Sequence, residues 1–279
     1  LEFRRVLFRS NLILTVLFAV LSIFFLLPLV WMLSAAVKTE REVWTFPIQW
    51  IPKEWNLVNN FKEVWLGDVS FDLFYMNSIK IAVISTLATV IISSMAGYAL
   101  SKLEFKGRAL VFSMMLAFMM IPEQATLVPR YIMIKELGLY DSHAALILMG
   151  MFSSYFAFLL RQFMAGIHND LLEAAELDGA GFFRIFWSVM LPLSQPILAT
   201  VGIIKFIWTW NDYQGPLIML NSTKLYTIPL GMQFFQEEFG TRISVMMMAS
   251  VAAIIPLLAL FLALQKQVIE GIAIGGVKG

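Results

Sequence analysis

Two groups of residues carry the chemistry open to this chain. The first is a set of charged, amide and indole side chains inside otherwise apolar sequence: Glu123, Lys205, Trp208, Trp210, Asn211 and Asp212. A charge at mid-bilayer is costly, so such a group faces protein or a water-filled cavity and marks a solute path. Indole faces stack on sugars, and amides and carboxylates bond to hydroxyls. The same residues also suit a helix end at the membrane interface. The second group lies in polar sequence around Glu173 to Pro192. There Glu173, Glu176 and Asp178 alternate with Leu171, Leu172, Ala175 and Leu177, which can form one apolar side. Asp170 can cap a helix there with Glu173 three residues on, Gly179 permits a sharp turn, and the pair Ala174 and Ala175 lets another surface approach the backbone. That is docking chemistry.

Catalytic signatures are missing from the sequence. Without a GxxxxGK[ST] loop the chain has no P-loop nucleotide site, so energy must come from another subunit. There is no HExxH and no GxSxG, and His143 and His168 stand apart. With no cysteine, disulfides and thiolate-ligated metals are excluded. The expectation is a protein with no catalytic residue, no metal and no cofactor of its own. A formal charge of +1 argues against nucleic acid as a partner.

The elements that must position these residues are membrane spans, because 59% of the 279 residues are hydrophobic and 14% charged. The expected spans are Leu12 to Leu33, kinked at Pro28, then Phe74 to Leu100, Ala109 to Val128, Ala144 to Leu160, Pro196 to Leu217, and Ile243 to Leu264, bent at Pro256. Trp44, Phe46, Trp50, Trp55, Phe61 and Trp65 stud the first loop, as where chain lies against membrane lipid headgroups. Ser85, Thr89, Ser93, Gly97 and Ser101 recur every fourth residue, a close-packing face that places the second span inside a bundle. The first ten residues, LEFRRVLFRS, read as the translation of a sequencing adapter, and omitting them takes the formal charge from +1 to −1. Heights along the third and fifth spans allow Glu123 and Lys205 to pair. The competing expectation puts Glu123 at the outer interface beyond a break at Pro122, with Lys205 snorkelling alone. Unpaired in the path, Lys205 would attract an anionic solute.

Glu173, Ala174, Ala175, Gly179, Val189, Leu191 and Pro192, at that spacing, resemble the EAA loop of bacterial ABC importer permeases, with Val189 where isoleucine is usual. Asn77-Ser78, Ile121-Pro122 with Pro129, residues 210–213, residues 227–231 and the final fifteen residues resemble the carbohydrate-specific, maltose-transporter type. The resemblance implies an all-α polytopic membrane protein with six transmembrane helices in the type I ABC importer permease fold. Residues 11–34 would form the first helix, 35–72 an extracytoplasmic loop, 73–266 the permease domain with its coupling loop at 166–192, and 267–279 a cytoplasmic tail. Glu173, Ala174, Ala175, Asp178, Gly179, Leu191 and Pro192 would couple to the ATPase. The implied partners are a second, non-identical permease, an ATP-binding subunit dimer that holds ATP and Mg, and an extracytoplasmic sugar-binding protein.

Lysine and arginine bias leaves orientation open. The motif side carries Lys102, Lys106, Arg108, Arg161, Arg184, Lys266 and Lys278, against Lys38, Arg41, Lys53, Lys62, Arg130, Lys135, Lys224 and Arg242 opposite. Only the resemblance puts both termini in the cytoplasm of a bacterial plasma membrane. Two alternatives stand beside the sugar importer. One is an ABC permease for a sugar acid or phosphorylated polyol. The other is an ion-coupled secondary transporter, which inverted repeats and a cluster of midplane carboxylates would mark.

Overall fold

The computed structural model describes residues 2–237 and 242–276, with side chains described for 14–236 and 242–266. All regular structure among the described residues is helical. The chain forms two compact units, Leu1–Phe71 with Met232–Ile255, and Asp72–Gly231 with Pro256–Gly279.

In the first unit, α1 (Glu2–Ala36) runs through Pro28 without a break. Its span, Leu14–Ala36, has mean hydropathy 2.7, and none of its apolar window is buried within the chain. Apart from its helical backbone from Glu2, the adapter-like segment lies outside the described residues. The Asn60 amide closes α1 by donating to the carbonyls of Ala36 and Lys38 at 2.8 and 2.9 Å, which satisfies acceptors a helix end leaves open. Two short helices follow, α2 (Glu40–Val43) and α3 (Leu57–Leu66). Around them Trp44, Phe46 and Trp55 stay exposed. The Glu40 carboxylate accepts from the amide and hydroxyl of Ser244, both at 2.9 Å. That puts a negative charge where the last helix begins, the favourable end of its dipole.

In the second unit, α4 (Phe71–Lys102) buries Ser85, Thr89 and Ser93. A Cβ at Gly97 would stand 2.9 Å from the Arg161 amide nitrogen and 3.0 Å from the Leu160 Cβ. The small-residue face is therefore where a neighbouring backbone comes closest. The third expected span differs from its sequence reading. The helix α5 (Arg108–Met119) is too short at about 1.5 Å per residue to cross a core of about 30 Å. Pro122, lacking an N–H, follows its end and precedes a 3₁₀ turn at Glu123–Thr126, and α6 (Leu127–Glu136) turns away. The bend is 101°.

The fourth span is built from α7 (His143–Gly150) and α8 (Ser154–Ala165), and each is opened by a serine cap. Ser142 and Ser153 accept from the amides of Ala145 and Phe156. Then come α9 (Asp170–Leu177), α10 (Phe182–Ile185), a π turn at Phe186–Met190, α11 (Leu191–Leu193) and α12 (Gln195–Trp210). An 80° bend precedes α12. The fifth expected span, drawn to Leu217, ends at Trp210, and α13 (Gln214–Met219) follows a break. The chain closes with α14 (Ile228–Glu237) and α15 (Ile243–Gly276). The expected tail at 267–279 is helical in its backbone to Gly276, and the side chains from 267 on lie outside the described residues. Among the described residues four helices are long and apolar enough to cross a membrane, six spans when each bent pair counts as one.

Phe156, Leu160, Ile197 and Val201 join α8 to α12. Ile81, Ile134, Leu146 and Met219 join α4, α6, α7 and α13.

Candidate functional site

The helix α9 shows how the stretch expected to dock folds. Leu172 is buried against Tyr98, Met164, Ile185, Phe186 and Met190, with Ala175 and Leu191 packed at the margin of the same cluster. Glu173, Ala174, Glu176, Asp178 and Pro192 face outward. After Asp178, Gly179 adopts φ +79, the left-handed conformation that glycine takes most cheaply. The Gly179 amide bonds the Glu176 carbonyl and the Ala180 amide bonds the Ala175 carbonyl, each at 2.9 Å. Those two bonds form a Schellman stop.

Two expectations for this helix are corrected. Asp170 lies inside the first turn and is not its cap. The preceding Asn169 makes no capping bond either, because its Oδ1 accepts from the Lys102 ammonium at 2.8 Å. Leu177 does not join the apolar side but is 90% exposed. Five residues beyond Leu172 it has rotated about 140° around the helix at about 100° per residue. Phe182 and Phe183, at the start of α10, are also exposed.

A cavity of about 750 Å³ opens in the second unit, lined by Glu123, Arg130, Tyr155, Lys205, Trp208 and Asp212 among others. Four of the expected pathway residues, Glu123, Lys205, Trp208 and Asp212, thus share one space. The other two do not line it. Trp210 is buried, stacked on Phe206 with ring centroids 5.6 Å apart and edge-on to Tyr75 at 5.8 Å. Two residues apart on a helix point to opposite sides, so Trp208 and Trp210 cannot both face the cavity. Asn211 turns its amide back onto the Ile207 carbonyl at 2.8 Å.

Glu123 and Lys205 do not form the expected direct pair. The Glu123 carboxylate binds the Arg130 guanidinium at 2.9 Å, because the 3₁₀ turn after Pro122 brings the first turns of α6 back beside it. Lys205, Asp212 and Glu123 line the same cavity without a direct ion pair between Lys205 and either carboxylate among the described residues. Asp212 accepts from the Gly215 amide at 3.0 Å. Sequence reasoning missed Arg130, Tyr155 and Thr209. Arg130 was counted as an extracytoplasmic charge, and its seven-residue spacing from Glu123 was the one available signal.

Residues 221–228 are held by side chains from elsewhere in this unit. The Asn77 amide donates to the carbonyls of Lys224 and Tyr226 at 2.9 and 3.0 Å. The Ser78 hydroxyl accepts from the Ile228 amide at 2.8 Å, and the His143 ring contacts the Leu225 carbonyl at 3.0 Å. Asp141 accepts from the Ser222 hydroxyl and from the amides of Ser222 and Asn221. The Ser222 hydroxyl bond, then those amides, hold the Asp141 carboxyl below the usual carboxylate range. Asn77-Ser78 and Thr227-to-Gly231, far apart in sequence, are one structural feature.

Residues 88–271 match the family of binding-protein-dependent transport system inner membrane components. The arabinooligosaccharides transport system permease protein AraQ of Bacillus subtilis is 32% identical over 95% of this chain and 95% of its own length. The melibiose/raffinose/stachyose import permease protein MelC of the same species is 32% identical over 97% of this chain and 98% of its own. A chain from the crystal structure of a bacterial ABC transporter involved in the import of the acidic polysaccharide alginate superposes with a TM-score of 0.81, at 24% identity, over 92% of this chain and 95% of that one. At that identity the likeness establishes the fold.

Proposed function

This chain belongs to the family of binding-protein-dependent transport system inner membrane components, and from that premise we propose that it is the permease subunit of an ATP-driven sugar importer. It forms half of a translocation path and carries out no chemical step itself. Its partners are a second, non-identical permease, an ATP-binding subunit dimer that holds ATP and Mg, and an extracytoplasmic sugar-binding protein. The α9 side lies in the bacterial cytoplasm with both termini. Relatives named for arabinooligosaccharides and for melibiose, raffinose and stachyose, each matched over nearly the whole chain, support sugar as the substrate class.

The observation that carries the coupling role is the build of α9. One leucine anchors it to the bundle, while Glu173, Ala174 and Leu177 are held out to water. Closure of the ATPase dimer moves that helix, and the spans respond by exposing the path to the other side of the membrane. The cavity around Lys205 is read as part of the solute path, because spans line it with both aromatic and polar groups.

The test is uptake by proteoliposomes that hold the assembled transporter. Sugar accumulation should require ATP and the binding protein together. Accumulation driven by an ion gradient without the ATPase subunits overturns the reading.

A further inference from the structure

We propose that the cavity around Lys205 selects uncharged, hydroxyl-rich solutes over acidic ones, and that Asp212 enforces the selection. The inference rests on the assignment of this cavity to the solute path. Its acidic and basic side chains, Glu123, Arg130, Lys205 and Asp212, cancel in formal charge. Glu123 is engaged by Arg130. Asp212 is fixed by the Gly215 amide at 3.0 Å and lines the same cavity as Lys205.

Lys205 has room for its head because Gly150 has no side chain. A Cβ there would lie 3.3 Å from the ammonium nitrogen. The hydroxyls of Thr209 and Thr227 are buried in the lining without a hydrogen-bond partner among the described residues. A basic group, an acidic group and unpartnered hydroxyls together complement a solute that both donates and accepts hydrogen bonds. Tyr155 and Trp208, with ring centroids 5.6 Å apart, add aromatic surface for an apolar sugar face. A solute carboxylate fits this arrangement badly. It would meet the carboxylates of Asp212 and Glu123, which line the same cavity.

The test uses the whole transporter, this chain with its cognate subunits in lipid nanodiscs. Equilibrium binding is measured for tritiated raffinose and maltotriose, which are neutral, and for tritiated trigalacturonate, which is acidic. The wild type should favour the neutral trimers. Asp212→Asn keeps an oxygen for the Gly215 amide but drops the charge. It should raise trigalacturonate affinity relative to the neutral trimers on the order of tenfold, the factor one charge roughly 10 Å away supplies at an effective dielectric of about 20. Glu123→Gln, which frees Arg130, should shift the ratio the same way and carries the test alone if Asp212→Asn does not assemble. Parity of the two solute classes in the wild type, or an unchanged ratio in the variants, overturns the selection rule and leaves the importer reading standing. Failure of wild type and variants to bind either class overturns the cavity as the solute site, and the proposal with it.

Discussion

The Ala180 amide reaches back across Gly179 to the Ala175 carbonyl at 2.9 Å, and that bond fixes where α9 stops and in which direction the chain leaves it. Gly179 stands at φ +79 with open space where a Cβ would be. A side chain there meets no clash, and the cost is in the backbone alone, about 1–2 kcal/mol for a non-glycine residue in the left-handed region. Gly179→Leu should therefore insert and fold, yet reshape the end of α9. Sugar-stimulated ATP hydrolysis by the assembled transporter should fall at least about tenfold, the equivalent of about 1.4 kcal/mol, while detergent-extracted permease yield stays near wild type. Normal coupling by Gly179→Leu counts against the docking role.

A second glycine behaves in the opposite way. At Gly97 the missing Cβ is replaced by the backbone of Arg161, 2.9 Å away. Gly97→Val forces two spans apart, and overpacking of this kind costs about 1–3 kcal/mol. A lowered melting temperature of the purified permease, with α9 unaltered in ATPase pull-down before heating, is the expected result.

These two glycines mark what was legible in the sequence and what was not. The four-residue recurrence of small residues in α4 announced a packing face, because lipid gives helices no other reason to approach closely. The EAA spacing announced α9 in the same way. Bends were harder to read. Pro122 signals a break, but nothing local says that the chain then turns by 101° and sets Arg130 beside Glu123. Trp208 and Trp210 are indistinguishable as sequence, and only helix phase decides which one faces the cavity. The outward turn of Leu177 could have been read from its five-residue offset from Leu172. The apolar count around it concealed that.

The hold on residues 221–228 should weaken in acid. Bonds from Ser222 and Asn221 lower the Asp141 carboxyl in the folded protein, so folding favours the ionised form. Its contribution is fully present above the unfolded aspartate value of about 3.9, and is lost as the pH falls through the lower folded value. Asp141→Asn removes the titrating group. Melting curves of wild type and variant should differ at neutral pH and converge below about pH 4. A gap that stays constant across that range would show that Asp141 does not act through its charge.

The last prediction concerns Leu177, which is 90% exposed at the end of α9, beside the exposed Glu176 and Asp178. It faces water, and it makes no contribution to the cluster that anchors Leu172. An apolar side chain so placed gains about 1.5–3 kcal/mol only when something covers it. If the ATP-binding subunit is that cover, Leu177→Asp should reduce co-purification of the subunit on the order of tenfold or more. The melting temperature of the isolated permease should not move, because no intramolecular contact is lost. Leu172→Asp is the contrasting case. It buries a charge in the anchoring cluster and should lower the melting temperature as well as docking. A fall in melting temperature for Leu177→Asp equal to that for Leu172→Asp would place Leu177 in the bundle and remove it from the docking face.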